Sequence, residues 1–197
     1  MFTNTPFSNA IFTMFSNIKT QLDLRGFTAP GSCKAYIFGG CAMHLHTNTR
    51  ISNDLDSQLD FCRTKTQAAI GLIESISPVK FFDNKRGPSI LVYDANFNPT
   101  LAPMHEDYEH NALGIEVDND SPLWVYLISK CDLAISKLGR FGDTDQTDIY
   151  ALFNAGLSID EFRTKAMDAA DYAVGQSGLP SKIEYAIAMY KDIMEGI

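Results

Sequence analysis

Two short motifs in the first third of the chain combine residue types that bind phosphate and metal ions. The apolar run 36–38 ends in Gly39-Gly40, and a later segment carries Asp54 and Asp56 on either side of a leucine. In a β-strand, side chains two positions apart lie on the same face, with about 6.5–7 Å between their Cα atoms. Two carboxylates at this spacing are able to converge on hard cations such as Mg²⁺ or Mn²⁺. The pair is therefore the first candidate for a metal site.

The two glycines predict how a phosphate group would be held beside these acids. Glycine at a turn from a strand into a helix lets backbone N–H groups approach a phosphate at the helix start. Each motif alone is common, and an acidic strand that faces solvent is the simplest alternative for the two aspartates. That alternative leaves Gly39-Gly40 unexplained, whereas a site for a metal-bound nucleoside triphosphate accounts for both motifs.

A third carboxylate is expected if the site holds two metal ions. Asp94 ends the next predicted strand, where a parallel neighbour of the 54–61 strand would also end. The alternative is an aspartate that starts a turn, which Asn96 would support. Weaker candidates are Asp60, which shares the acidic face of the 54–61 strand but lies too far along it to join Asp54, and Glu116 and Asp118.

The C-terminal half contributes a lysine and two further aspartates. Lys137 lies in the middle of an apolar helical stripe, and a lysine directed into a core or cleft is costly unless it meets an anion such as a triphosphate. The alternative is an aliphatic stem that packs while the ammonium group reaches water. Asp145 and Asp148 begin the following helix, where the helix dipole favours acids, and they are also placed to pair with Lys137 or Arg140.

The periodicity of apolar residues predicts the elements that must position these groups. The predicted helices are 8–25, 41–46, 65–76, 129–140, 143–155, 158–174 and 180–194. The predicted strands are 35–38, 54–61, 89–94, 113–117 and 123–127, and 95–111 is predicted to be a long loop. We therefore expect an α/β (α+β) fold with a mixed sheet flanked by helices. Its core would span residues 1–122, followed by a helical C-terminal region over 123–197.

The overall composition limits the class of protein. A net charge of −8 argues against non-specific binding to duplex nucleic acid, which needs a basic face. The four cysteines form no CxxC pair and no zinc spacing, which favours reduced thiols in an intracellular protein. No apolar run reaches the length of a membrane span, and the N-terminus does not have the pattern of a signal peptide. The sequence predicts a cytoplasmic protein without a membrane partner.

Over residues 35–155 the chain resembles the nucleotidyltransferase superfamily with the DNA polymerase β-like fold. Within it, the resemblance is to bacterial abortive-infection and toxin–antitoxin transferases. The residues that carry it are Gly39, Gly40, Arg50, Ser52, Asp54, Asp56, Lys137, Asp145 and Asp148.

The resemblance implies a transferase that moves a nucleoside monophosphate from an NTP to an RNA, protein or small-molecule acceptor. Asp54 and Asp56 would bind Mg²⁺ or Mn²⁺. Asp94, which the strand pattern rather than the resemblance suggests, would complete the metal shell or deprotonate the acceptor. The residues expected to bind the nucleotide are Gly39, Gly40, Arg50, Ser52, Lys137, Asp145 and Asp148. Expected partners are the NTP, an acceptor such as a tRNA end or a partner protein, and a cognate antitoxin. The alternative is a non-catalytic module that keeps the fold to bind a nucleotide or a protein.

Overall fold

The computed structural model of the chain describes residues 1–61, 66–84, 86–173 and 178–195. As the sequence predicts, the fold is of the α/β type, with two mixed sheets flanked by helices and a helical C-terminal region. The chain divides into two compact units. The first comprises Met1–Phe97 and Ala112–Ile128, and the second comprises Asn98–Asn111 and Ser129–Ile197.

The element bounds agree with most of the predicted ones. The first unit contains the helices α1 (Pro6–Leu24), α2 (Gly39–Thr47) and α3 (Thr66–Ile73) and the strands β1 (Cys33–Ile37), β2 (Asp54–Leu55), β3 (Ser57–Phe61), β4 (Val79–Asp83), β5 (Gly87–Tyr93), β6 (Leu113–Glu116) and β7 (Leu123–Leu127). The second unit contains the helices α4 (Tyr108–Asn111), α5 (Lys130–Lys137), α6 (Asp143–Asn154), α7 (Ile159–Tyr172) and α8 (Leu179–Glu195), with a short 3₁₀ turn at Pro99–Leu101. The predicted helix limits at positions 65 and 174 lie outside the described residues.

Helix α1 forms because its apolar residues recur at helical spacing and its start is capped. The Thr5 side chain accepts a hydrogen bond from the Ser8 N–H, and Pro6 occupies the first turn, where its missing N–H costs nothing. The buried face of α1 consists of Phe7, Ser8, Ala10, Ile11, Met14, Phe15, Ile18 and Leu22. This face packs against α2, β4 and β7 and closes the core of the first unit.

The four-stranded sheet has the order β3-β1-β7-β6. β1 runs antiparallel to β3 and parallel to β7, while β6 pairs antiparallel with β7. Because β1 lies between two partners, its short apolar run is buried almost throughout, as a central strand requires. The turn after β1 leads directly into α2.

The three-stranded sheet has the order β2-β5-β4, with β2 parallel and β4 antiparallel to β5. The sequence did not predict β4. Its two adjacent phenylalanines interrupt the alternation of apolar and polar residues, and only Val79 is buried while Phe82 remains 62% exposed. Pairing with β5 and the packing of Phe81 against Phe7 of α1, both of them long-range contacts, define this strand.

The predicted continuous strand over 54–61 is wrong at one point. The segment breaks at Asp56, and its two halves, β2 and β3, belong to different sheets. The sheets are tied together there, since the Tyr93 hydroxyl of β5 donates to the Ser57 carbonyl of β3 at 2.8 Å. Side-chain alternation continues through the break, which explains why the pattern did not reveal it.

The predicted loop 95–111 is shorter than expected because it contains the 3₁₀ turn and α4. In the second unit, two serines cap helices: the Ser129 and Ser158 side chains accept from the N–H groups of Asp132 and Glu161. The domain boundary predicted after residue 122 stays a prediction; β7, which follows it, is hydrogen-bonded to β1. Within the described ranges, no helix combines the length and apolarity that crossing a membrane requires.

Candidate functional site

The carboxyl ends of two parallel strands bring the three predicted metal ligands together. In the pairing of β2 with β5, Asp54 lies opposite Val92. The Asp94 N–H donates to the Leu55 carbonyl at 3.1 Å, so Asp94 follows β5 at the level where Asp56 follows β2. As a result, one carboxylate oxygen from each of Asp54, Asp56 and Asp94 lies within 4.8 Å of the other two.

Local hydrogen bonds orient two of these carboxylates. The buried Ser52 hydroxyl donates to Oδ1 of Asp54 in a short hydrogen bond. The Asn96 N–H donates to Oδ1 of Asp94 at 2.9 Å. Asp94 therefore both starts a turn and joins the acidic cluster, which reconciles the two interpretations of this residue. Asp54 is exposed and the other two acids are half-buried, so the cluster is accessible from solvent.

Gly39 and Gly40 pack directly against this acidic segment. Gly39 has φ +54°, and a Cβ built on it would lie 1.7 Å from Oδ2 of Asp56. A Cβ on Gly40 would lie 2.7 Å from the Cβ of Ser52. The Phe38 N–H, just before the turn, donates to the Asp56 carbonyl at 2.9 Å. Neither glycine position has room for a side chain, which is a steric reason for the motif that the sequence alone does not provide.

The glycine turn also forms the start of helix α2. The first backbone N–H groups of any α-helix lack partners within the helix and carry partial positive charge. The N-cap residue of α2 is Phe38, whose side chain makes no capping hydrogen bond. The start of α2 therefore has the features of an anion site beside three carboxylates.

Arg50 lies next to the same turn and is anchored by a buried histidine. Its Nη2 atom is 3.4 Å from a Cβ built on Gly40. The Arg50 carbonyl accepts a hydrogen bond from Nδ1 of His44 at 3.0 Å, and Nε2 of His44 lies 2.7 Å from Oγ1 of Thr5. Burial lowers the pKa of His44, so the neutral imidazole donates from Nδ1 and accepts from the Thr5 hydroxyl. This chain of contacts fixes the backbone at Arg50 to the start of α1.

The thiol of Cys41 reports the electrostatics of the cluster. It donates to the Asp54 carbonyl at 3.4 Å from the first turn of α2. Burial raises the pKa of Cys41 well above its ordinary value, the charges of Asp56 and Asp54 raise it further, and Arg50 opposes them. Burial and the two carboxylates therefore both oppose ionisation of this thiol, which stays protonated.

An aromatic contact joins the segment after Asp94 to the glycine turn. The rings of Phe38 and Phe97 lie 5.1 Å apart between centroids, and Phe38 is buried. The Phe97 N–H donates to the Asp94 carbonyl at 3.3 Å. The turn that carries Asp94 is thus packed against the residue that precedes Gly39, a contact that nothing in the sequence indicated.

The second unit groups the lysine and the two aspartates predicted in the C-terminal half. Nζ of Lys137 lies 2.9 Å from Oδ2 of Asp148 and 3.8 Å from Oδ1 of Asp145, and all three residues are buried. Arg140 donates to both carboxylate oxygens of Asp145, at 2.7 and 2.9 Å. Burial raises the pKa of Asp145, but the hydrogen bond from Arg140 and the charge of Lys137 outweigh it, so its pKa lies below the ordinary value. The predicted pairing of these acids with Lys137 and Arg140 is confirmed.

A mixed sheet that groups carboxylates beside the glycine start of a helix is suited to binding a metal–nucleotide complex. The sequence matches a family model described as nucleotidyltransferase of unknown function (DUF6036) over residues 14–193. The chain therefore belongs to this family of nucleotidyltransferases, which confirms the resemblance at the level of the superfamily. A comparison with curated proteins finds no match.

Proposed function

We propose that this chain is a metal-dependent nucleotidyltransferase that moves a nucleoside monophosphate from an NTP to an acceptor. Three carboxylates whose ligand atoms lie within 4.8 Å of one another, beside the glycine start of α2, carry this proposal. The family match supports the general class of reaction.

The residues of the cluster fit a Mg²⁺ or Mn²⁺ ion. Carboxylate oxygens are the ligands that these cations take in proteins, and Asp54, Asp56 and Asp94 each offer one. Because Gly39 has no side chain, the Asp56 carboxylate has room to lie beside it. When bound, the metal neutralises charge on the phosphate oxygens and helps to align the reacting groups.

The surrounding residues have separable roles in this reaction. The N–H groups at the start of α2 and the guanidinium of Arg50 would hold the phosphates. Ser52 donates to Asp54 and so orients it, and it stays a proposed nucleotide ligand. The acceptor oxygen forms a bond to the α-phosphorus, the bond from that phosphorus to the bridging oxygen breaks, and pyrophosphate leaves. Oδ1 of Asp94 accepts a hydrogen bond from the Asn96 N–H. Oδ2 of Asp94 would therefore bind metal or take the proton of the acceptor hydroxyl.

Lys137, Asp145 and Asp148 remain proposed as nucleotide ligands. In the structure, the ammonium group of Lys137 is already neutralised by Asp148 and Asp145. To stabilise a triphosphate, Lys137 would have to exchange or share these partners. Nucleotide binding would therefore have to break or share these ion pairs before Lys137 could contact phosphate.

Paired removal of charge tests the proposal. Asp54→Asn with Asp56→Asn should abolish Mn²⁺ binding and the transfer of label from α-³²P-NTP to RNA or protein of a cell extract. The matched control is Asp60→Asn, which makes the same chemical change in β3, outside the cluster formed by the described residues. Transfer that survives the double substitution would refute the metal mechanism. NTP binding that needs no metal and gives no turnover would favour the non-catalytic module.

The resemblance extends the proposal to a component of a toxin–antitoxin or phage-defence system. In that role the acceptor would be a tRNA end or a partner protein, and a cognate antitoxin would bind the chain. Expression in a host cell should then arrest growth, and the substitutions at Asp54 and Asp56 should relieve the arrest. Growth that is unaffected by the unmodified chain would argue against the toxin role while leaving the transferase proposal intact.

A further inference from the structure

A cleft in the first unit has Arg50 among its lining residues. It has a volume of about 280 Å³ and is formed by the start of α1, the end of α2 with the segment that follows it, and the turn between β4 and β5. This volume is just below the range of about 300–1,000 Å³ that is typical of small-molecule sites. The cleft is therefore suited to a small group rather than to a folded partner.

The walls of this cleft carry more positive than negative charge. Arg50 and Arg86 both line it, and Asp83 is the acidic residue among its described lining residues. Oδ1 of Asp83 already accepts the Arg86 N–H at 2.8 Å. His44 in the same wall is neutral, with both ring nitrogens used by Arg50 and Thr5. In a chain whose net charge is −8, two arginines among the lining residues of one small cleft favour an anion.

Arg50 connects this cleft to the candidate active site. Arg50 is one of the residues that line the cleft, and its Nη2 atom lies 3.4 Å from the place that a Cβ on Gly40 would take. A group bound in the cleft would therefore contact the same residue that is expected to contact the NTP phosphates. In a transfer reaction, the second substrate has to lie beside the first.

We propose that this cleft binds a phosphate group of the acceptor, held between the guanidinium groups of Arg50 and Arg86. Guanidinium groups bind phosphate oxygens through paired, charge-assisted hydrogen bonds, and Asn48 and Asn84 in the walls provide amides for an attached sugar. The assignment of this phosphate to the acceptor rests on the proposed transferase function. The phosphate belongs either to the end of an RNA strand or to a small phosphorylated molecule.

Binding experiments on the full chain, with EDTA and without NTP, test this proposal. The probes are inorganic phosphate, a nucleoside 5′-monophosphate, and one short single-stranded RNA with and without a terminal phosphate. Arg86→Gln should weaken the binding of phosphorylated probes about tenfold, because a hydrogen bond between charged groups is lost. The matched control is Lys80→Gln, which removes a positive charge from the exposed side of β4, outside the cleft, and should bind as the unmodified chain does.

The outcomes separate this inference from the transferase proposal. RNA that binds more tightly than the mononucleotide, and only when phosphorylated, identifies an RNA end; equal binding identifies a small phosphorylated acceptor. The inference is overturned if Arg86→Gln has no effect, if Lys80→Gln has the same effect, or if the terminal phosphate makes no difference. The binding experiments contain neither metal nor NTP, so they do not depend on transfer. Binding that requires Arg86, together with no transfer in a separate assay with metal and NTP, would refute the proposed reaction but not the phosphate site.

Discussion

Gly39→Ala isolates the steric link between the glycine turn and the acidic cluster. Gly39 has φ +54°, a backbone conformation that costs an L-residue about 1–2 kcal/mol. The new Cβ would also lie 1.7 Å from Oδ2 and 2.7 Å from Cγ of Asp56, so this carboxylate would have to turn away. Displacing a ligand should weaken metal binding at least as much as removing a group that orients one, which costs about 10–100-fold.

Gly26→Ala is the matched control for this prediction. Gly26 has φ +80°, but nothing lies within 4 Å of a Cβ built on it. Both substitutions should lower the free energy of unfolding by a similar 1–2 kcal/mol in urea titrations. Only Gly39→Ala should lower the affinity for Mn²⁺, measured by electron paramagnetic resonance. Equal Mn²⁺ affinities in the two variants would refute the argument that Gly39 makes room for a metal ligand.

Three further predictions follow from contacts around the two clusters. Phe97→Ala should weaken Mn²⁺ binding by loosening the turn of Asp94, whereas Phe97→Leu should largely preserve it; equal loss in both would contradict the packing role. Asp148→Asn should cost about 3 kcal/mol in urea unfolding, since it removes the nearest partner of buried Lys137, and a cost below about 1 kcal/mol would refute this. The pKa of Asp145 is depressed in the folded state, so its contribution to stability is complete above about pH 5 and is lost as the pH falls through the folded-state pKa. The difference in unfolding free energy between the unmodified protein and Asp145→Asn should therefore narrow from pH 6 to pH 3. A constant difference would exclude the ionised carboxylate as its source.

The acidic cluster was predictable because its signals are local. Strand alternation places Asp54 and Asp56 together, and the rule that neighbouring parallel strands end at one edge identifies Asp94. The connection between α5 and α6 is short, which favours contact between Lys137 at the end of α5 and the aspartates Asp145 and Asp148 of α6. In each case, the residue type and the spacing carry the relevant information.

Other features depend on long-range packing and left no local signal. The break at Asp56 preserves side-chain alternation, so one strand and two strands produce the same pattern. The contact of Phe38 with Phe97 and the orienting bond from Ser52 arise only after the sheets form. Strand β4 was missed because its pairing with β5, rather than its own apolar pattern, determines its conformation.

The change of sheet at Asp56 has a thermodynamic consequence. Asp54 and Asp94 belong to segments of the three-stranded sheet, whereas Asp56 is the last residue before the chain enters the four-stranded one. A cation bound by all three carboxylates would link the two sheets, and neither sheet could unfold without releasing it. Unfolding would then become more cooperative as the metal site fills. Mn²⁺ should raise the Tm while the two sheets unfold in a single transition, and a chelator should reverse this increase in Tm.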